Sequence, residues 1–407
     1  MKRTLTAVFV AALALAGSPA SATSIGPGLR PFPTTDGDVL AATVLYLPGY
    51  RALAVGGNFR HIRGADGTLT AATNVAVLRI PDGQVLYAGK ANSYVRSLFA
   101  VGGRLYLGGN FTSIDGKARN HAASVTAPGW QVTGFAAPGI GTVNTITAGG
   151  NSGIVLGAST SVRSVSPDTA AQRWSLPVTG GPVRALAVYP NQVPGYDLVY
   201  MGGLFEKVGS FTHHGLTRAW VNSAGAMIDT SFAPYFKPDS GIGDKGTWDG
   251  ESPMSLAWQD PAYGDALMVG WGGAGSNGVR VLNPWTGGTW WSRQTDGDVQ
   301  GIATVGDNVV AGWHRNHVSY SGTPFWYGGS LRGTNGEITW WDPQLVGWLP
   351  NTDGGNGGIQ AFAYDNVDRI LFAVGAFTGT GNCSIYTYPC TTAVNPRQSI
   401  AAYGVTG

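Results

Sequence analysis

Hydrophobic and polar positions alternate in short runs along this chain, with period two rather than the three-to-four spacing of an amphipathic helix. Such alternation predicts β-strands. The runs fall into a recurring unit. An alternating first strand leads to a second that ends near Gly-Gly-x-Phe, then to a third, then to a fourth carrying an aromatic residue. First strands begin near Val39, Val95, Val143, Val183, Met254, Val299 and Ile359. Second strands are clearest at Ala54-Val55-Gly56-Gly57-Asn58-Phe59, Leu107-Gly108-Gly109-Asn110-Phe111 and Met201-Gly202-Gly203-Leu204-Phe205. Third strands include Val75–Leu78, Ala122–Val125, Arg218–Val221, Val279–Leu282 and Ile400–Tyr403, with Trp340 and Trp341 read onto the third strand of the sixth unit. Fourth strands carry Phe135, Trp174, Phe232, Trp290 and Trp348. Four short antiparallel strands in each of seven units predict an all-β fold, a seven-bladed β-propeller of four-stranded antiparallel blades.

The ends of the chain distinguish a ring from an open solenoid. The last unit stops after its third strand. Leu29-Arg30-Pro31-Phe32-Pro33, at the other end, resembles the fourth-strand segment Ser231-Phe232-Ala233-Pro234. The N-terminal strand is therefore expected to complete the C-terminal blade and remove an exposed sheet edge.

Residues 1–22 read as a signal peptide: Lys2 and Arg3 precede the apolar run Ala7–Ala16, and Ala20-Ser21-Ala22 is a small-x-small cleavage site. Residues 23–407 are expected to form one secreted domain. In that setting Cys383 and Cys390 are expected to form a disulfide. With 12% charged residues, 63 glycines and a net charge of +2, the chain has the composition of many turns and strands and no strong field for nucleic acid. No membrane insertion is expected.

The segment Leu105-Tyr106-Leu107-Gly108-Gly109-Asn110-Phe111-Thr112-Ser113-Ile114-Asp115-Gly116-Lys117-Ala118-Arg119-Asn120 resembles the repeat of the delta-60-repeat β-propeller family. The resemblance runs over nearly all of residues 29 to 407 and is sharpest in the first, second and fourth units. It implies a propeller in a secreted or surface setting. It implies no defined reaction and supplies no catalytic residues.

Neither a Gly-x-Ser-x-Gly elbow nor a Gly-Lys-Ser/Thr phosphate loop is present. Among carboxylates, Asp342-Pro343 reads as a turn and Glu337 as the start of the sixth unit's third strand, so the acidic candidates for catalysis are Asp249 and Glu251. Asp36-Gly37-Asp38 at a blade entry reads as a turn rather than a calcium loop. His213, His214, His314 and His317 read as loop histidines rather than metal ligands, and no metal or cofactor is expected. Of 14 tryptophans, 11 lie between Trp248 and Trp348. Those on repeat positions are core; Trp271 and Trp313 stand where the Phe of Gly-Gly-x-Phe would stand. Insertions at residues 235 to 253, 314 to 335 and 378 to 398 exceed what the repeat needs, and long loops often carry function. The ligand-contact candidates are therefore Trp248, Trp313, His314, His317, Trp326 and Tyr327. The expectation is a non-enzymatic binding propeller that engages a cell-surface glycan or a protein partner through the loops of blades four to seven, as in a targeting subunit of an extracellular assembly. The alternatives are a glycoside hydrolase, for which two carboxylates must face one another across a sugar, and a structural matrix protein.

Overall fold

The computed structural model describes residues 23–407 apart from 239–249, 260–264, 274–276, 296, 315–326, 340, 344, 347–356, 382–394, 397 and 407. The described chain is all-β, with no helix among the described residues. It is built from up-and-down antiparallel sheets in which neighbours in sequence are neighbours in the sheet. The first sheet orders Asp38–Leu47, Tyr50–Asn58, Val75–Ile80 and Val85–Ala88; the second Val95–Val101, Arg104–Gly109, Ala122–Thr126 and Gln131–Val132. The third orders Val143–Gly149, Gly153–Ala158, Ser161–Val165 and Gln172–Thr179; the fourth Val183–Val193, Tyr196–Gly203, Leu216–Val221 and Ala226–Ile228. In the fifth they are Ser252–Trp258, Leu267–Gly272, Asn277–Leu282 and Thr289–Thr295, and in the sixth Val299–Val305, Asn308–Trp313 and Gly328–Arg332. The last sheet takes Gly358–Asp365, Ile370–Ala376 and Ile400–Thr406, and its fourth strand is Ser24–Leu29 from the other end of the chain, with Ile25 opposite Val405. That strand starts five residues before the Leu29 suggested by the repeat. Beyond it Arg30 N donates to Ala402 O at 2.9 Å, and the Phe32 ring packs on Phe372.

Two readings of the tryptophans are corrected. Gly328–Arg332 is the third strand of the sixth sheet, so Trp341 lies beyond it, packed edge-on against Tyr403, and Glu337 sits after the strand rather than at its start. Trp290 is half exposed rather than core. Pairing slips between Val281 opposite Trp291 and Leu282 opposite Thr289, so Trp290 is the extra residue of a β-bulge and turns outward while Trp291 is buried.

The core lies between sheets. Because side chains alternate across a strand, Leu53 and Val55 pack in one cluster with Phe372 and Val374 of the last sheet, while Ala52 and Ala54 share another with Leu98 and Leu107 of the second. The same division recurs at each junction, and the first strand of each sheet lies beside that of the next, Gly358–Asp365 coming back against Asp38–Leu47. At that junction Arg51 Nε reaches Asp365 Oδ2 at 3.2 Å, and Tyr46 donates to Asn366 Oδ1 at 2.8 Å. Turn prolines clasp other junctions: Pro167 O accepts from Tyr106 at 3.1 Å, Pro284 O from Tyr200 at 2.7 Å and Pro343 O from Tyr403 at 3.0 Å.

Gly-Gly-x-Phe marks a further device. In the first, second, fourth and last units the Phe (Phe59, Phe111, Phe205, Phe377) is buried, and a short hairpin follows it. Three of these hairpins add a strand to a segment of the preceding unit: Ile62 opposite Thr35, Val208 opposite Val178, and Gly379 opposite Val346. The fourth makes the bridge Ala91–Ile114. The third unit has Ala158 at the second Gly position and runs directly into Ser161–Val165, with no hairpin.

Candidate functional site

Every first strand carries the same irregularity near its start. Val39 faces Gly57 but Ala41 faces Gly56, leaving Leu40 unpaired. The slip repeats at Arg96, Asn144, Arg184, Met254, Gln300 and Gln360. A bulge re-aims its extra residue. Here the seven extra residues together line one funnel of about 490 Å3 where the first strands converge, with Thr142, Ser159 and Pro182 completing the wall. A smaller cavity of about 200 Å3 continues along the same strands.

The flanks of the bulge explain why it recurs. The residue before it is β-branched or proline; in six of the seven sheets it packs against a glycine of the preceding sheet, whereas Val39 shares a core cluster with Val374, the residue at that position of the last sheet. A Cβ on Gly56 would lie 2.5 Å from Val95 Cγ1, one on Gly108 2.6 Å from Val143 Cγ1, and one on Gly270 2.6 Å from Val299 Cγ1. The next glycine is needed for a different reason: a Cβ on Gly57 or Gly109 would run into the backbone oxygen of Asp38 or Tyr94 in its own sheet. The residue after the bulge is small, as in Ala41, Ser97, Thr145, Ala185, Ser255, Gly301 and Ala361. Two of these hydroxyls join sheets: Ile146 N donates to Ser97 Oγ at 2.9 Å and Ser255 Oγ to Val299 O at 3.2 Å.

Chain order sets the chemistry around the mouth. Arg96, Asn144 and Arg184 come from consecutive sheets and form one arc. Met254 follows, then the amides Gln300 and Gln360, then Leu40, which adjoins Arg96 again. Arg96 Nε donates to Asn110 Oδ1, and Asn144 Nδ2 to Val183 O at 3.0 Å. Gln300 Oε1 is buried and accepts no hydrogen bond among the described residues. Burial holds the Arg184 guanidinium below its ordinary value; Arg96 adds to this and Asp298 opposes it. Asp298 accepts from Gly273 N at 3.1 Å and faces His314 Nδ1 at 3.8 Å.

The residues singled out from sequence are placed as follows. Trp313 is buried, at 2% exposure, and by its pairing with Val299 it stands at the second Gly of the motif rather than at the Phe; its indole offers no open face for a ligand. Trp271, opposite Pro253, stands at the same position. His314 follows Trp313 at the funnel end of its strand, with an 8% exposed side chain beside Asp298. Tyr327 is half-buried with φ 62°, packs on the core between the sixth and last sheets, and its carbonyl accepts from Trp313 N at 2.9 Å. Glu251 pairs with Arg280 at 3.5 Å and accepts from Lys237 N at 3.2 Å. A carboxylate held in this way braces the insertion. His214 bridges Glu206 Oε1 at 3.1 Å and Glu251 O at 3.2 Å. At Asp36 the turn reading accounts for the carboxylate, which accepts from Arg60 N at 2.7 Å and His61 N at 2.8 Å. Trp248, Asp249, His317, Trp326, Cys383 and Cys390 lie outside the described residues.

Sequence reasoning passed over the bulged residues. Their signal is a bulky or polar residue between a β-branched and a small one at the start of each unit, as in Val95-Arg96-Ser97, Val183-Arg184-Ala185 and Ile359-Gln360-Ala361.

No protein-family profile matches the chain, and no curated protein matches it. Among solved structures the chain is similar to U3-55K, at TM-score 0.55 and 12% identity over 95% of this chain and 100% of that one. It is similar to the WD40 repeats of RRP9 (TM-score 0.55, 12% identity, 96% and 99% covered) and to Sqt1 of Saccharomyces cerevisiae (TM-score 0.52, 9% identity, 93% and 99% covered). At such identities the likeness shows the fold alone, a β-propeller.

Proposed function

We propose that this chain is a secreted, closed seven-bladed propeller of the delta-60-repeat type that acts as a non-enzymatic binding module. Ring closure is supported by the pairing of Ser24–Leu29 with Ile400–Thr406 and by the packing of the last sheet on the first. Export is supported by the Lys2-Arg3 start and the Ala20-Ser21-Ala22 site; N-terminal sequencing of exported protein should begin at Thr23, and an intact Met1 would refute it.

The binding reading is carried by the ring of bulges. The frame around each bulge repeats, with a β-branched or Pro residue before and a small residue after, while the bulged residue itself is Leu, Arg, Asn, Arg, Met, Gln or Gln. A repeated frame that aims unlike side chains into one concavity has the makings of a recognition surface: a concave site with a few convergent polar groups. The neighbouring propellers are WD40 structures, which fits a protein-interaction or adaptor role. A targeting subunit of a larger extracellular assembly, binding a glycan or a protein, is the form proposed here.

The test uses purified residues 23–407, a glycan array, and a pull-down from the producer's own secretion, each repeated with Met254→Glu. Binding that the substitution abolishes supports the funnel. Binding that survives it places the site elsewhere, and product release from a polysaccharide panel overturns the non-enzymatic reading.

A further inference from the structure

Resting on the funnel as the binding site, we propose that it takes an acidic sugar, its carboxylate against the Arg96–Asn144–Arg184 arc and its hydroxyls against Gln300 and Gln360.

The inference comes from the order of side chains around the mouth. The charged groups lining the cavity are two guanidinium groups, on sheets two and four, with an amide between them. Among the described residues Asp38 and Asp298 sit at strand starts and do not line it, although Asp298 acts electrostatically on Arg184. An arginine stays protonated at any working pH and presents a planar fork that matches a carboxylate. Two of them set in a concavity below bulk polarity favour an anion between them, because charge-assisted hydrogen bonds strengthen as water is excluded.

Opposite the arc, Gln300 and Gln360 come from adjacent sheets. A carboxamide both donates and accepts, which suits vicinal hydroxyls. Both glutamines line the cavity. Met254 and Leu40 separate the two polar arcs on either side and offer aliphatic surface to the C–H faces of a sugar ring. The cavity of about 490 Å3 falls within the range of small-ligand sites, about 300–1,000 Å3. An acidic peptide side chain would satisfy the arginines but would leave the amide pair without vicinal partners.

The experiment is titration calorimetry of residues 23–407 with three acidic probes and their neutral counterparts: trigalacturonate against galactotriose, a hyaluronan tetrasaccharide against chitotetraose, and sialyllactose against lactose. At least one acidic probe is expected to bind about tenfold or more tighter than its counterpart, with affinity falling as salt rises. Arg184→Gln should remove most of that preference, and Gln300→Leu should weaken binding while leaving the preference in place. A thermal scan identifies any variant that fails to fold, and the wild-type comparison stands without variants. Equal affinity for acidic and neutral members of every pair overturns the proposal. If no sugar binds but the Met254-sensitive pull-down still captures a partner, the acidic-sugar assignment fails and the binding module stands. If neither is seen, both fail.

Discussion

The two glycines of Gly-Gly-x-Phe look interchangeable in the sequence, yet they answer to different neighbours. Gly56 leaves room for the Val95 side chain of the next sheet, whereas Gly57 lies against the Asp38 backbone of its own. A side chain has more freedom to yield than a paired strand. Gly56→Ala is expected to cost about 1–3 kcal/mol, the usual scale of overpacking, and Gly57→Ala more, as read by urea denaturation; equal costs would refute this division. A second residue-scale prediction concerns Asp229, which accepts from Arg218 Nη2 at 2.6 Å and Ser231 Oγ at 2.6 Å. Burial tends to raise its pKa, but hydrogen bonds from Ser231 and Arg218 outweigh this and hold it below the ordinary value of 3.8. A depressed carboxylate contributes stability that is complete above the unfolded pKa and is lost as pH falls through the lower folded one. Wild type should therefore lose more stability than Asp229→Asn between pH 7 and pH 3. At pH 7, Asp229→Asn leaves the buried Arg218 without its charge partner and should cost about 3–5 kcal/mol. Parallel acid limbs for the two proteins would remove the pair from the account.

Among the elements, the hairpins after Phe59, Phe111, Phe205 and Phe377 explain why some units match the repeat better than others. The well-matched units are those that clip onto the preceding sheet, and the fully buried Phe anchors the clip. Phe111→Ala should cost about 3–5 kcal/mol; a cost below about 1 kcal/mol in chemical denaturation would show that the hairpin is not held through this ring. The N-terminal strand is the other element with a distinct role. Removing residues 23–30 uncovers Ile400–Thr406, an apolar strand with unpaired backbone groups. Exposed edges recruit other strands, so the truncated protein is expected to self-associate in light scattering. A stable, monodisperse monomer would count against the strand's role as a cover.

At the scale of the whole molecule, stability resides in interfaces. Each sheet shares apolar clusters with two neighbours, including the last with the first. An open array melts from its ends, since each repeat contacts only its neighbours in line. The closed ring proposed above would have no end from which to fray, so thermal unfolding followed by both tryptophan fluorescence and circular dichroism should give one coincident transition. Two separated transitions would show that the junction marked by Arg51 and Asp365 does not couple the ends. The same geometry makes the funnel a shared product: each sheet supplies one bulged side chain, and no sheet alone forms a site.

The sequence by itself determined the strand period, the unit, its repetition and the kinship of the two ends, because alternation and turn chemistry are local and are written wherever a strand must bury one face. Gly-Gly-x-Phe was legible for the same reason. The division of labour between its glycines, the outward turn of Trp290 and the burial of Trp313 were decided by strand register, which a one-residue slip changes without any mark in composition. The funnel was decided by tertiary structure alone. Leu40, Arg96, Asn144, Arg184, Met254, Gln300 and Gln360 are spread over more than 300 residues, and only the convergence of bulged strands on one axis brings their side chains to a common space.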